Sequence, residues 1–232
     1  YRKVTQSWFL GQGVAQFESR VQAMAKRSVS RMAELGSDCD FAVDIANWFP
    51  LYVIMGILGL PEEDAPFILR CTQAMLAASD PELQRDQQAF GTAEFEQLFA
   101  YLGTIVEKRR REPTDDLGSV IANGLVKGQA MGMLETLSYL MLTSTAGHET
   151  TSSAISGGLL ALIENPATER ATRNDPSLWE TGADEIVRWV SPVRHFMRTA
   201  VRDQVTGAAS TRLPVKAAAA WGSGPSLTTM IS

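Results

Sequence analysis

Apolar residues recur every three or four positions along much of the chain, with charged residues between them. Between residues 14 and 35 the spacing predicts one amphipathic helix, whose apolar face comprises Phe17, Val21, Met24, Met32 and Leu35. Gly36 follows as its expected end, because glycine adopts the left-handed conformation without steric cost. We find no alternating apolar and polar stretch of useful length that would indicate a strand. The pattern therefore predicts a mainly α protein.

The longest uncharged run lies between Asp44 and Glu62. It is shorter than the roughly 20 apolar residues that a membrane-spanning helix needs, and Pro50 interrupts it. We interpret it as a buried helix that ends at Gly59, after which Pro61 starts another. No membrane insertion is expected.

A second amphipathic helix is predicted before Pro113, with an apolar face formed by Phe95, Leu98, Leu102, Ile105 and Val106. It ends in four cations, residues 108–111. This basic run could be a surface for a partner, but we favour a structural role, since cations at a helix C-terminus interact favourably with exposed carbonyls. Asp115 and Asp116 are expected to cap the helix that follows.

The longest helix is predicted over residues 131–164, ending before Pro166. Its centre reads STAGHETTSS, residues 144–153, in which glycine and threonine are poor helix formers. A zinc-protease HExxH motif is excluded because no second histidine follows four residues after His148. A structural alternative is a plain helix whose threonine hydroxyls donate to carbonyls one turn earlier. Local rules that fail tend to do so at functional sites, which favours a functional role.

Composition limits the remaining possibilities. The formal net charge of −5 argues against nucleic-acid binding, which requires a basic surface. Cys39 and Cys71 are too far apart for a CxxC metal site, and reduced cytoplasmic thiols are the simplest interpretation. The chain opens at Tyr1 without a signal-peptide pattern, and a start at tyrosine suggests a fragment. We expect a cytoplasmic protein.

A second motif changes the balance. Glu185 and Arg188 lie three apart on one helix face and precede SPVRHFMRTAVRD, residues 191–203. With AGHETT at 146–151 and YRKVTQSWF at 1–9, this order of motifs resembles the cytochrome P450 family of haem-thiolate monooxygenases, especially its soluble bacterial members. The resemblance implies a partial P450 fold, from the family's helix C to its helix K, with a long central oxygen-binding helix.

The resemblance also implies roles for the AGHETT residues. Ala146, Gly147 and Thr151 are expected to line the oxygen and substrate pocket. Thr150 is expected to donate a hydrogen bond to dioxygen, and Glu149 to supply protons through water. His148 receives no chemical role.

Four further residues take expected roles from the family. Arg2 and Arg198 match positions where its arginines bind haem propionates, a pairing that suits guanidinium. Glu185 and Arg188 match a buried structural pair beneath the haem. A buried pair is costly to break singly, because the remaining charge is left without its partner.

The sequence departs from the family after Asp203. The family's axial iron ligand is a cysteine thiolate downstream of the Glu185 and Arg188 pair, but no cysteine follows Cys71. The tail from 204 to 232 has no Asp or Glu and neither secondary-structure period, which suggests a frameshift near Gln204 or a disordered terminus. We therefore expect residues 1–203 to form a partial P450 domain that is inactive alone, with no protein metal ligand.

The function implied by the resemblance is hydroxylation of a C–H bond in a small hydrophobic substrate such as a terpene, steroid or fatty acid. Heme b would be the cofactor, with electrons from NAD(P)H through ferredoxin reductase and ferredoxin. A second hypothesis is a non-catalytic, all-helical ligand-binding or interaction domain. A third is a haem protein in which His148 or His195 is the iron ligand.

Overall fold

The computed structural model describes residues 1–77 and 90–193, together with the backbone of two short strands at 204–206 and 211–213. It confirms the predicted mainly helical class. The helices are α1 (Arg2–Thr5), α2 (Gln12–Ala15), α3 (Glu18–Leu35), α4 (Trp48–Leu58), α5 (Ala65–Ala77), α6 (Phe90–Arg111), α7 (Leu117–Ala122), α8 (Met133–Glu164), α9 (Pro166–Asn174) and α10 (Trp179–Val190). Shorter helical turns cover Gln6–Phe9, Phe41–Ala46, Glu62–Asp64 and Pro176–Leu178.

Two small antiparallel hairpins accompany the helices. Strands β1 (Leu125–Val126) and β2 (Gln129–Ala130) are joined by two residues with positive φ, Lys127 and Gly128, as the twist of a two-residue hairpin requires. Strand β3 (Gln204–Thr206) pairs with β4 (Thr211–Leu213).

Strands β3 and β4 lie in the tail of residues 204–232, where the sequence shows neither secondary-structure period. Val205, Thr206 and Thr211 are β-branched, which favours strands. The paired strands are only three residues long, too short for an alternating pattern to stand out in the sequence. Residues 214–232 lie outside the described part of the chain.

The apolar helix α4 lies at the centre of the core. Its Leu51, Met55 and Leu58 are almost completely buried, and it packs against α8, α7 and α3. The other core side chains include Ile68, Leu98, Leu102, Val106, Leu117, Ile121 and Leu140. The predicted buried helix and the apolar face of α6 are therefore confirmed, although Phe95 is only half-buried.

In the described part of the chain, one helical stretch is long and apolar enough to be a candidate membrane span by length and composition alone. It runs from Phe41 to Leu58 and comprises the turn before α4 and α4 itself. The core helix of a water-soluble protein has the same composition, and the burial of Leu51 and Leu58 within this domain supports that explanation.

Helix α3 lies on the surface of this core. Val21 and Met24 of its predicted apolar face are half-buried, whereas Met32 is exposed. The predicted helix begins at Glu18 rather than residue 14, because Gln12–Ala15 form a separate short helix, α2. Gly36 ends α3 with a φ of 81°.

A buried ion pair joins the ends of three helices. Arg109 near the end of α6 lies 2.8 Å from Asp116 Oδ2 and donates to the carbonyl of Gly59, which ends α4. Asp116 caps α7 as predicted, accepting the Ser119 N–H at 2.6 Å. This junction fixes the ends of α4, α6 and α7 relative to one another.

The basic run of α6 binds carbonyls, but not those at its own helix end. Arg110 donates to the carbonyls of Ala122 and Met131, and Arg109 donates to that of Gly59. The structural interpretation of these cations is supported, with the correction that their acceptors belong to other parts of the chain.

Candidate functional site

Helix α8 carries the AGHETT residues at its centre and confirms the predicted long helix. It packs against α4, α6, α7 and α10, and no described element covers one remaining face. We call this the open face of α8. Successive residues of a helix are rotated by about 100° around its axis, which places the members of this face within one stripe. They are Leu142, Ala146, Glu149, Ser153 and Leu160. Leu142 and Leu160 are 48% and 55% exposed, Ala146 and Ser153 are exposed, and Glu149 is half-buried.

The two predicted catalytic residues lie at this face. Glu149 belongs to it, and Thr150 lies at its edge, half-buried, one helix turn from Ala146. The Thr150 hydroxyl donates to the Ala146 carbonyl at 2.9 Å, and the Thr151 hydroxyl to the Gly147 carbonyl at 3.1 Å. These are the hydrogen bonds that the plain-helix alternative predicted.

Two predicted pocket residues lie away from the open face. A Cβ on Gly147 would lie 3.2 Å from Ile54 Cδ1 of α4, so close helix packing explains a glycine here. Thr151 is nine residues from both Leu142 and Leu160, which places it on the opposite side of α8. The structure therefore separates Gly147 and Thr151 from Ala146, and a pocket role for either stays a prediction.

The sequence reasoning missed a buried polar cluster around His148. Its ring is completely buried, and Nε2 lies 2.8 Å from the Asn47 carbonyl oxygen. Ser152 donates to Asn47 Oδ1 at 2.8 Å, and His148 Nδ1 lies 3.3 Å from Glu149 Oε1. No local signal links His148 to Asn47, which is 101 positions away.

The predicted cofactor residue Arg2 is exposed on α1, which packs against α7 and is linked to the first half of α8 by hydrogen bonds. The Tyr1 hydroxyl donates to Glu135, and Thr5 and Tyr139 share a 2.6 Å hydrogen bond. The bond from Tyr1 lowers the pKa of Glu135. Because Glu135 lies seven residues before Leu142, α1 borders the open face.

The other predicted propionate ligand, Arg198, lies outside the described residues, as does His195. Their assigned roles stay predictions.

Glu185 and Arg188 form the predicted ion pair, with two contacts of 2.6 Å. Hydrogen bonds from Arg188 lower the pKa of Glu185. The expectation of burial is wrong in this structure, because the two side chains are 60% and 65% exposed. Helix α10 turns Ile186 and Val190 towards Gly158 and Gly157 of α8, and the pair projects from its other side.

Neither cysteine is available at the open face. Cys71 is completely buried in the core formed by α5 and α6, and Cys39 is half-buried between α3 and α4. Burial raises the pKa of the Cys71 thiol. Within residues 1–77 and 90–193, no group of three His, Cys, Asp or Glu side chains is placed to hold a metal ion.

The two thiols are expected to differ in reactivity. Cys39 should react with a thiol reagent in the native protein, whereas Cys71 should react only after unfolding, because both its burial and its raised pKa disfavour the reactive thiolate. Titration with a chromogenic disulfide reagent, with and without denaturant, measures this difference. A Cys39→Ser variant that still reacts rapidly when folded would contradict it.

No family model matches the chain, but comparison with curated proteins identifies relatives across most of its length. It is 34% identical over 212 residues to Cytochrome P450-terp of Pseudomonas sp, covering 88% of this chain and 50% of that protein. The chain fits a fragment of a cytochrome P450. It is also 30% identical over 206 residues to a Steroid C26-monooxygenase of Rhodococcus jostii, covering 89% of this chain and 42% of the relative.

Solved P450 structures agree with this assignment. CYP108D1 from Novosphingobium aromaticivorans matches with a TM-score of 0.77 at 34% identity, over 92% of this chain and 50% of that one. Mycobacterium marinum CYP268A2, solved with pseudoionone, matches with a TM-score of 0.80 at 26% identity, over 92% of this chain and 52% of that one. The partial P450 fold is confirmed, and the chain spans about half the length of the curated relatives it matches.

Proposed function

We propose that this chain is part of a haem-dependent monooxygenase that hydroxylates a C–H bond of a small hydrophobic substrate. The observation that carries the proposal is the open face of α8, where Glu149 and Thr150 lie one helix turn after the small residue Ala146, in a chain 34% identical to a P450. Relatives named as a steroid monooxygenase and a methyl-branched lipid hydroxylase favour a terpene, steroid or lipid substrate.

The residues of the open face fit a haem group. Leu142 offers exposed apolar surface for a flat macrocycle, and Ala146, about one helix turn further along, is small enough to leave room for it. Arg2, on the helix that borders this face, and Arg198 would bind the propionates. When bound, heme b supplies the oxygen-activating chemistry, and the protein supplies position and protons.

Glu149 and Thr150 would divide the proton chemistry between them. The half-buried Glu149 side chain can exchange protons with solvent and carry them inward. The Thr150 hydroxyl, which donates to the Ala146 carbonyl in this structure, would turn towards the substrate pocket to donate there. A threonine suits this role because its hydroxyl can both donate and accept.

Electrons would come from NAD(P)H through ferredoxin reductase and ferredoxin, in the cytoplasm.

We further propose that residues 1–203 form the P450 portion and that 204–232 come from a shifted reading frame. Sequencing the source DNA beyond the codon for Asp203 tests this: another frame should encode further strands and a cysteine loop. A coding sequence without them in any frame contradicts the frameshift.

A polypeptide of these 232 residues is expected to be catalytically inactive, because no cysteine follows Cys71 to provide the thiolate ligand. Added haem should change the absorbance spectrum, but the reduced carbon monoxide difference spectrum should lack a thiolate-type Soret band. Ala146→Trp should weaken haem binding by filling the open face. The matched control is Leu134→Trp, at a 69% exposed position of α8 off that face.

Two results would contradict these expectations. A thiolate-type Soret band would mean that a cysteine of this chain reaches the iron. Equal haem binding by the Ala146→Trp variant and its control would mean that the open face of α8 is not the haem surface.

A further inference from the structure

The buried cluster around His148 has an unusual arrangement of hydrogen-bonding atoms. Nε2 faces the Asn47 carbonyl at 2.8 Å, and the side chain of Asn47 is held by Ser152. On the other side of the ring, Nδ1 lies 3.3 Å from Glu149 Oε1. Among the described residues, neither Nδ1 nor Oε1 has a regular hydrogen-bond partner, although both atoms are buried.

The neighbours of the ring determine where its protons belong. A carbonyl oxygen only accepts, so Nε2 must carry a hydrogen. In a neutral imidazole Nδ1 is then an acceptor, and so is an ionised Glu149 carboxylate facing it. Two buried acceptors that face each other without a proton between them cost the full desolvation free energy of both groups. One proton between Nδ1 and Oε1 removes this conflict, whether it resides mainly on the ring or on the carboxyl.

We propose that His148 is a positioning residue that shares one proton with Glu149 and fixes its carboxyl beside the open face of α8. The inference rests on the proposed function, in which Glu149 would hold this proton in place before it is delivered. The Glu149 side chain is 30% exposed, so solvent can replace the proton after transfer. Asn47, held by Ser152, keeps the ring from rotating.

The full chain labelled with ¹⁵N-histidine tests this without haem. It contains two histidines, and a His195→Gln variant assigns the resonances of His148. At neutral pH we expect Nε2 to be protonated, and Nδ1 to have the chemical shift of a hydrogen-bonded or protonated nitrogen. Glu149→Ala should move Nδ1 to the shift of a bare acceptor and leave Nε2 unchanged. Glu164→Ala, at an exposed position of the same helix, is the matched control and should change neither.

A bare Nδ1 in the parent chain that Glu149→Ala does not alter would overturn the inference. Should that variant fail to fold, Glu149→Gln provides a second measurement that preserves the shape of the side chain. Its amide cannot share a transferable proton, so the Nδ1 chemical shift at neutral pH should differ from that of the parent chain. An identical Nδ1 chemical shift in the two proteins would overturn the inference.

The two proposals can fail separately. Loss of the Nδ1 signature in a chain that still binds haem at the open face would remove only the role of His148. A clear Nδ1 signature in a chain that does not bind haem there would remove only the proposed function.

Discussion

Arg109→Met is expected to lower the free energy of unfolding by about 3–5 kcal/mol, the usual effect of removing one partner of a buried ion pair. Asp116 would lose the guanidinium that lies 2.8 Å from its carboxylate, at a position where both side chains are only 11% exposed. The Gly59 carbonyl would lose its donor as well. Chemical denaturation followed by circular dichroism measures the difference.

The same basic run provides the control. Arg111→Met removes an equal charge two residues away, but Arg111 is exposed, and its loss is expected to alter stability by less than about 0.5 kcal/mol. Combining Arg109→Met with Asp116→Asn should recover part of the loss, because asparagine can cap α7 without a buried charge. Equal destabilisation by the two arginine variants would show that the ion pair does not stabilise this junction.

Gly59 shows how far sequence reasoning reaches at this junction. Its place at the end of α4 was predictable, because a glycine after an apolar run commonly takes the left-handed conformation, and its φ is 68°. A Cβ there would also lie 2.1 Å from Asp116 Oδ2. This second requirement depends on a residue 57 positions away in the sequence, so no local pattern could reveal it.

Helix boundaries and buried faces were predictable where the signals are local. The longest helix was expected over residues 131–164 and is observed from Met133 to Glu164, because Pro166 and the apolar spacing act within a few residues. The buried side of α6 followed from its periodicity for the same reason.

Burial of a polar pair was less predictable than its formation. Glu185 and Arg188 meet because residues three apart share a helix face. Whether they are buried depends on what packs over α10, and within the described residues only the Ile186 and Val190 side is covered, by α8. The pair was therefore predictable from spacing, and its exposure was not.

The candidate site divides in the same way. The AGHETT motif located the important stretch of α8, but a motif does not say which side each residue faces. Gly147 packs against Ile54 of α4, whereas Ala146, the adjacent residue, is exposed. His148 has its main partner at Asn47, in a different element. Only the packing of α4 against α8 distinguishes these three consecutive positions.

Leu140→Ala is expected to lower the free energy of unfolding by about 2–5 kcal/mol, whereas Leu142→Ala should change it by less than about 0.5 kcal/mol. The residues lie two apart on α8 and lose the same atoms. Leu140 is completely buried, so its truncation leaves a cavity, but Leu142 is 48% exposed on the open face. Denaturation curves of both variants, measured side by side, provide the comparison.

This pair of variants also separates the fold of α8 from the use of its open face. If haem binds there, Leu142→Ala should weaken haem binding while leaving the unfolding curve almost unchanged, because it removes apolar contact surface from the ligand and little from the core. Equal destabilisation by the two variants would mean that the chain itself already covers the open face. The haem surface would then have to lie elsewhere on α8, and Glu149 and Thr150 would lose their proposed place beside it.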